Sequence, residues 1–546
     1  MKRIRGCRVL ATATALALSL SVAGAAQQTA PETWAARQPG KLLRFATTAR
    51  GAEFTGLFLS TNGDLFFNVQ HPDPTNAPPF NRGIIGVITG VDFRTLPQRL
   101  EPIGLDAAQH EPEQVHVALG AYQVLAQGGQ TLADGELGVV RALDGKPLTD
   151  GSMPDFNAYL AQGDNGVLYT AFESRPGAMS RLSTARQRDG TWRVDTAHNI
   201  DFRPLSGTWV NCFGTVSPWG TPLSSEELYF PDTAQWFAPT GRNAAALERL
   251  HAYLGRPSNP YRYGYIVEIT DPLGSTAQPV KRFALGRFSH ENAVVMPDER
   301  TVYLSDDGYG AVLFKFLADA PGDLRRGTLY AAKLHQDTDV HGQLVRDPRR
   351  AGFGIEWLNL AHGDEATIAK WISEYDRTDG DSAHLVSDAD ITAWAAGQAA
   401  DSRAAFLESR KAAAARGASA EFSKMEGVNL NYAGAKSERL PYLYLAISSI
   451  SRHMADARGD IQLDANPCGA VYRLRLNGQF NTSRLEPVLV GGPYRQHDAE
   501  QRCALDNIAG PDNIVVLDDG RLVIGEDADP QNHQPNMLWI YAPPSP

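Results

Sequence analysis

Hydrophobic positions along this chain come in short runs, and one local pattern recurs. A turn of Asn, Asp, Gly or Glu is followed by four or five apolar or β-branched residues and then by a polar or acidic exit. Asn62-Gly63-Asp64 leads into LFFNVQHP, Asp164-Asn165-Gly166 into VLYTAFES, and Asp298-Glu299-Arg300 into TVYLSDDG. Ser437-Glu438-Arg439 leads into LPYLYLAISS and Asp519-Gly520 into RLVIGEDADP. Turn residues ahead of strand-forming runs are hairpin signals. Such units spread over a long chain predict an all-β fold, a β-propeller, in which each blade leaves only short edges open. Their spacing is irregular, so a single domain with insertions is expected over residues 27–546.

The main insertion reads as helical. From Asp364 to Arg416 the chain turns alanine-rich, Ser387-Asp388-Ala389-Asp390 has the form of a capping start, and Phe406 to Gly417 combines strong helix formers with a glycine stop. This places a helical insertion at about 364–417. A second helix is expected from Asn243 to Tyr253, and loop or tail over Asp73 to Pro79 and Pro543 to Pro546.

Charge adds a compartment. Lys2, Arg3, Arg5 and Arg8 precede an apolar run from Val9 to Val22 and the small residues Ala23-Gly24-Ala25-Ala26. Residues 1–26 therefore read as a signal peptide of the Sec type, with export to a bacterial periplasm or beyond. The run is too short for a membrane anchor. Removing these four cations lowers the formal net charge from −11 to −15. No basic run is left for nucleic acid or an anionic membrane. An acidic surface repels a phosphate ester unless bound cations invert the local sign. Of the three mature cysteines, Cys468 and Cys503 lie in one C-terminal region and are the natural disulfide pair in an oxidising compartment. Cys212 is then a free thiol.

Candidate chemistry concentrates in three blocks. The first, Asn211 to Asp232, opens with Asn211-Cys212, turns through Pro218-Trp219-Gly220 and ends on Glu226-Glu227. Neighbouring strand residues face opposite ways, so without a bulge only one of the two glutamates can face a given site. The second runs from Gly286 to Phe316, with His290-Glu291-Asn292 before one strand and Asp306-Asp307-Gly308 after the next. Carboxylates gathered this way suit hard cations. The third, from Glu408, joins a helix to Lys424-Met425-Glu426.

These blocks resemble, in order, motifs of PhoX-type alkaline phosphatases: Asn-Cys with Pro-Trp-Gly-Thr and Glu-Glu; Gly-Arg-Phe with His-Glu and Asp-Asp; and a helix followed by Arg-Pro-Glu. Two more segments are similar. Gly510 to Asp529 resembles the family's closing strand pair, and Phe66 to His71 resembles a strand that the family carries late, implying a changed closure point. The resemblance spans roughly residues 54 to 541. It implies a six-bladed propeller with an iron–calcium cluster on its axis, hydrolysing phosphate monoesters; a monomer is expected. Asn211 would hold the phosphate with Lys424 assisting. Cys212, Glu226, Glu227, Glu291, Asp306, Asp307, Glu426, Asp512, Glu526 and Asp527 would be the metal ligands, calcium first and iron through Cys212. Two departures stand out. Ser225 replaces a family cysteine, which bears on iron, and Lys424 replaces an arginine, giving a point charge for a planar fork. Two further classes fit the same pattern, another calcium-dependent propeller hydrolase of phytase or lactonase type and a non-catalytic propeller stapled by metals.

Overall fold

A computed structural model describes residues 40–132, 135–228, 230, 232–274, 276–377 and 384–544. The signal peptide expected over residues 1–26 lies outside them. The described chain is largely β-sheet, with several small antiparallel sheets, one nine-stranded sheet and scattered helices.

The strands fall into repeated groups of four. Glu53–Leu59, Leu65–Gln70, Ile84–Thr89 and Ala121–Gln127 form the first group. Pro154–Gln162, Asn165–Phe172, Ala178–Arg186 and Trp192–Asn199 form the second, and Asn211–Val216, Pro222–Glu226, Ile266–Thr270 and Gln278–Lys281 the third. The nine-stranded sheet contains two more groups, starting at His290–Val295 and at Met425–Leu430, bridged by the long strand Phe353–Asp364. In the last group Pro511–Val516, Leu522–Glu526 and Met537–Ala542 are joined by Lys41–Thr47 from the other end of the chain, so the closing sheet contains both ends of the described chain.

Each of the five turn-plus-run units in the sequence becomes the second strand of its group. The turns work because their residues accept left-handed backbone. In the third group, where Pro218-Trp219-Gly220 makes the corresponding turn, Gly220 has φ +83°.

The leading strands of successive groups pack against one another in a closed cycle, Glu53–Leu59 on Pro154–Gln162 and so on round to Pro511–Val516, which returns to Glu53–Leu59. Apolar side chains fill the space between neighbouring groups. Between the first and second, Phe66 lies with its ring centroid 5.6 Å from Tyr159 and 5.1 Å from Trp192. Each fully buried aromatic of this kind stabilises the fold by roughly 1.5–3 kcal/mol.

Helices occur where the alanine-rich composition placed them. Ser387 caps Asp388–Ala395 in a full capping box with Asp390. The expected run from Phe406 is broken at Glu408 into Arg403–Leu407 and Ser409–Ala415, because Glu408 leaves helical geometry and its Oε1 accepts from Tyr261 at 3.0 Å. The earlier helix spans Gly241–Leu254. Cys468 and Cys503, both fully buried, form the expected disulfide. Removing this cross-link should cost about 2–4 kcal/mol, seen as a lower denaturation midpoint for reduced protein. Equal midpoints would refute that.

Candidate metal centre

One backbone device recurs at the start of every leading strand. The ladder to the second strand sets two residues against one, a β-bulge, in all six groups. A bulge re-aims the side chain at its first position. Those first positions are Gly56, Asp155, Cys212, Glu291, Glu426 and Asp512, so five of the six carry a carboxylate or a thiol. The second strands exit beside them, delivering His71, Glu173, Glu227, Asp307, Ser448 and Asp527.

The result is a buried nest of acids. Cys212, Glu227 and Glu291 offer ligand atoms within 4.8 Å of one another, and so do Glu291, Glu426 and Asp512. Glu291 belongs to both sets. Cys212 Sγ lies 2.9 Å from Asp155 Oδ2 and 3.1 Å from Glu291 Oε2. Asp155 Oδ1 is buried without a hydrogen-bond partner.

Burial and mutual repulsion dominate the electrostatics. Burial first, then the charges of Asp512, Glu426 and Glu227, push the Glu291 carboxyl well above the usual range. Asp155, Asp512 and Glu227 are raised for the same two reasons, and burial lifts Glu426 to about 7. Burial also raises Glu53 to about 8. Its neighbour His71, with Nε2 2.7 Å from Glu53 Oε1, loses charge to burial but gains more from Glu53 and rises to about 10. So many acids raised in one place mark a site short of positive charge. The donor set fits cations: carboxylate oxygens suit calcium, and one thiol suits iron.

Two protein cations stand at the edge. Lys424 Nζ lies 2.8 Å from Asp307 Oδ2 and 3.0 Å from Glu426 Oε1, with 28% of its side chain exposed. Its backbone is left-handed at φ +52°, an uncommon conformation for lysine. Arg410, equally exposed, grips Asp306 through Nε and Nη2 and donates to the Asp307 carbonyl at 2.7 Å. The acids more than offset burial and hold both cations charged.

The three acidic doublets divide the same way. Glu226 spends both oxygens on protein donors: Oε1 accepts from Trp209 N and from Lys281 Nζ at 2.8 Å, and Oε2 from Gly264 N and Tyr265 N. Asp306 is taken up by Arg410 and Val312 N. Glu526 accepts from Ala509 N, Trp539 Nε1, Met537 N and His533 Nδ1. The second member of each doublet, Glu227, Asp307 or Asp527, interacts electrostatically with the nest. Asn211 is fully buried, its amide without a hydrogen-bond partner and packed beside Gly177 and Thr208. Ser225 Oγ donates to the carbonyls of Phe213, at 2.7 Å, and Glu291, so it braces two bulges rather than offering a ligand. The sequence motifs did not single out Glu53, His71, Asp155, Glu173 or Arg410. A shared beginning, Pro154-Asp155 beside Pro511-Asp512, was the one available signal for Asp155.

A nest of acids and one thiol, set in a β-sheet scaffold and edged by two cations, has the makings of a metal-dependent hydrolase. The family model "Alkaline phosphatase PhoX" matches residues 166–541, more than half the chain, and the chain belongs to that family. It is an enzyme of phosphate-ester hydrolysis. Among solved structures it is similar to Pseudomonas fluorescens PhoX in complex with vanadate, at 19% identity and a TM-score of 0.50, covering 72% of this chain and 80% of that one. A gluconolactonase of Xanthomonas campestris aligns over 94% of both chains, but at 12% identity and a TM-score of 0.32. No curated protein sequence matches this chain. Among the described residues no helix is long and apolar enough to cross a membrane.

Proposed function

We propose that this protein is an exported, monomeric phosphatase that hydrolyses phosphate monoesters at a calcium centre also containing iron. Residues 27–546 form one six-bladed propeller in this reading, with the helical insertion at about 364–417. The closed cycle of six leading strands supports it. The observation that carries the functional reading is the repeated bulge, which turns Asp155, Cys212, Glu291, Glu426 and Asp512 into one buried space.

Glu291, Glu426 and Asp512 would hold calcium, with Asp527 and Asp307 completing its oxygen shell, and Cys212, Glu227 and Glu291 would hold iron. When bound, these cations neutralise phosphoryl oxygens and stabilise the charge of transfer to water. The chain's own residues orient the ester. Lys424 and Arg410, fixed on Asp307 and Asp306, present their remaining N–H groups to a phosphoryl group. Asn211, with an unspent buried amide, is the further candidate to hold it. Glu226, Asp306 and Glu526 act as buried braces that fix the strand ends from which Glu227, Asp307 and Asp527 reach inward. A metal that only stapled sheets together would need neither partly exposed cation.

Iron is tested by colour. Thiolate-bound iron absorbs visible light, and Cys212 is the free cysteine among the described residues. Purified protein should be coloured, and Cys212→Ser should bleach it, release iron and remove activity on an aryl phosphate. A colourless, iron-free protein that is fully active would overturn the iron assignment and leave a calcium-only phosphatase.

A further inference from the structure

Beside the acid nest lies a cavity of about 690 Å³, within the range that accommodates a small organic ligand. Glu173 lines its inner side, and the same carboxyl interacts with Asp155, Glu227 and Cys212. Arg82, Arg175 and Arg249 line it too. Arg82 and one wall, Glu136 to Met153, come from chain ahead of the family-matched segment, and Arg249 comes from the helix Gly241–Leu254.

The lining's three arginines are matched in number by three acids, but each acid has a partner of its own. Of the acids lining the cavity, Glu136 is ion-paired with Arg141 at 2.5 Å, Glu173 belongs to the nest and accepts from Gln70 at 2.7 Å, and Asp150 accepts from the Ser152 amide. Arg249 Nε is anchored on the Arg175 carbonyl at 2.9 Å, which leaves its terminal nitrogens available. Arg82 is exposed, with Nη1 against Gly129, and makes no hydrogen bond or ion pair among the described residues. Guanidinium groups held this way suit a carboxylate or phosphate, which they bind in bidentate fashion.

We propose that this cavity receives the organic part of the substrate and selects phosphate esters that carry a second anionic group, which Arg82 and Arg249 bind. The inference rests on the phosphatase reading above. Its measure is the ratio of kcat/KM for fructose 1,6-bisphosphate to that for fructose 6-phosphate, taken from initial rates of the metal-loaded protein. The ratio should exceed the factor of about two that a second hydrolysable end alone would give and should shrink with added salt, which screens exposed charges. Arg82→Glu should lower it about tenfold, the size of one lost charge-assisted hydrogen bond, and Arg249→Gln should lower it in the same direction. Arg82 has no structural partner to lose, so a folding failure there is not expected. Hydrolysis of both sugars with one ratio in wild type and both variants overturns the subsite and leaves the phosphatase standing. Hydrolysis of an aryl phosphate but of neither sugar also overturns the subsite, and hydrolysis of none of the three by metal-loaded protein overturns the phosphatase reading with it.

Discussion

Glu291→Gln should abolish hydrolysis of an aryl phosphate, with a loss on the order of a thousandfold or more, in line with removing a main source of transition-state charge stabilisation. Glu291 is the residue shared by both ligand sets, so its loss removes a charged oxygen from each at once. Glutamine keeps the volume and one oxygen but not the charge that a hard cation needs. Metal analysis should show both metals depleted. The same change should make the metal-free protein more stable, because it removes a carboxylate buried among Asp512, Glu426, Glu227 and Asp155. This opposite pair of effects separates a ligand from a packing residue. A variant that keeps its metals and most of its activity would take Glu291 out of the site.

The second large effect concerns pH and metal together. Glu426 ordinarily titrates near 4.5 and is raised to about 7, and Glu53 is raised from 4.5 to about 8. A carboxyl whose folded pKa is raised binds protons more tightly folded than unfolded. Between about pH 4.5 and 8 the native state therefore holds more protons, and stability falls as pH rises through that window. Metal-stripped protein should lose roughly 5–10 °C of melting temperature from pH 5 to pH 8. Calcium-loaded protein should show the reverse or no slope, because cations stand in for the protons and favour the folded state. Parallel curves for the two forms would mean that the acids are not the metal site.

Much of this was legible in the chain. The turn-plus-run units Leu65–Gln70, Asn165–Phe172, Thr301–Asp306, Tyr442–Ile447 and Leu522–Glu526 announced the second strand of five groups, because hairpin turns and β-branched runs act locally. Cys468 and Cys503 could be paired from the compartment and from their shared C-terminal region. What stayed hidden was direction. Glu226-Glu227, Asp306-Asp307 and Glu526-Asp527 look alike in sequence, and only the fold shows that the first of each is saturated with protein donors. The bulges that turn Asp155 and Asp512 inward depend on pairing with a second strand, and the Pro-Asp start that the two share is their only local trace. Arg410 lies 104 residues from Asp306 and reaches it only through the fold, from the helix Ser409–Ala415.

The central claim is that cations held by this nest perform the hydrolysis, and the most direct measurement is reversible loss of activity on chelation. Protein stripped exhaustively with a chelator should hydrolyse no generic phosphomonoester, should melt at a lower temperature, and should recover activity when calcium is returned. Full activity in protein shown by metal analysis to carry no bound ion would contradict the account.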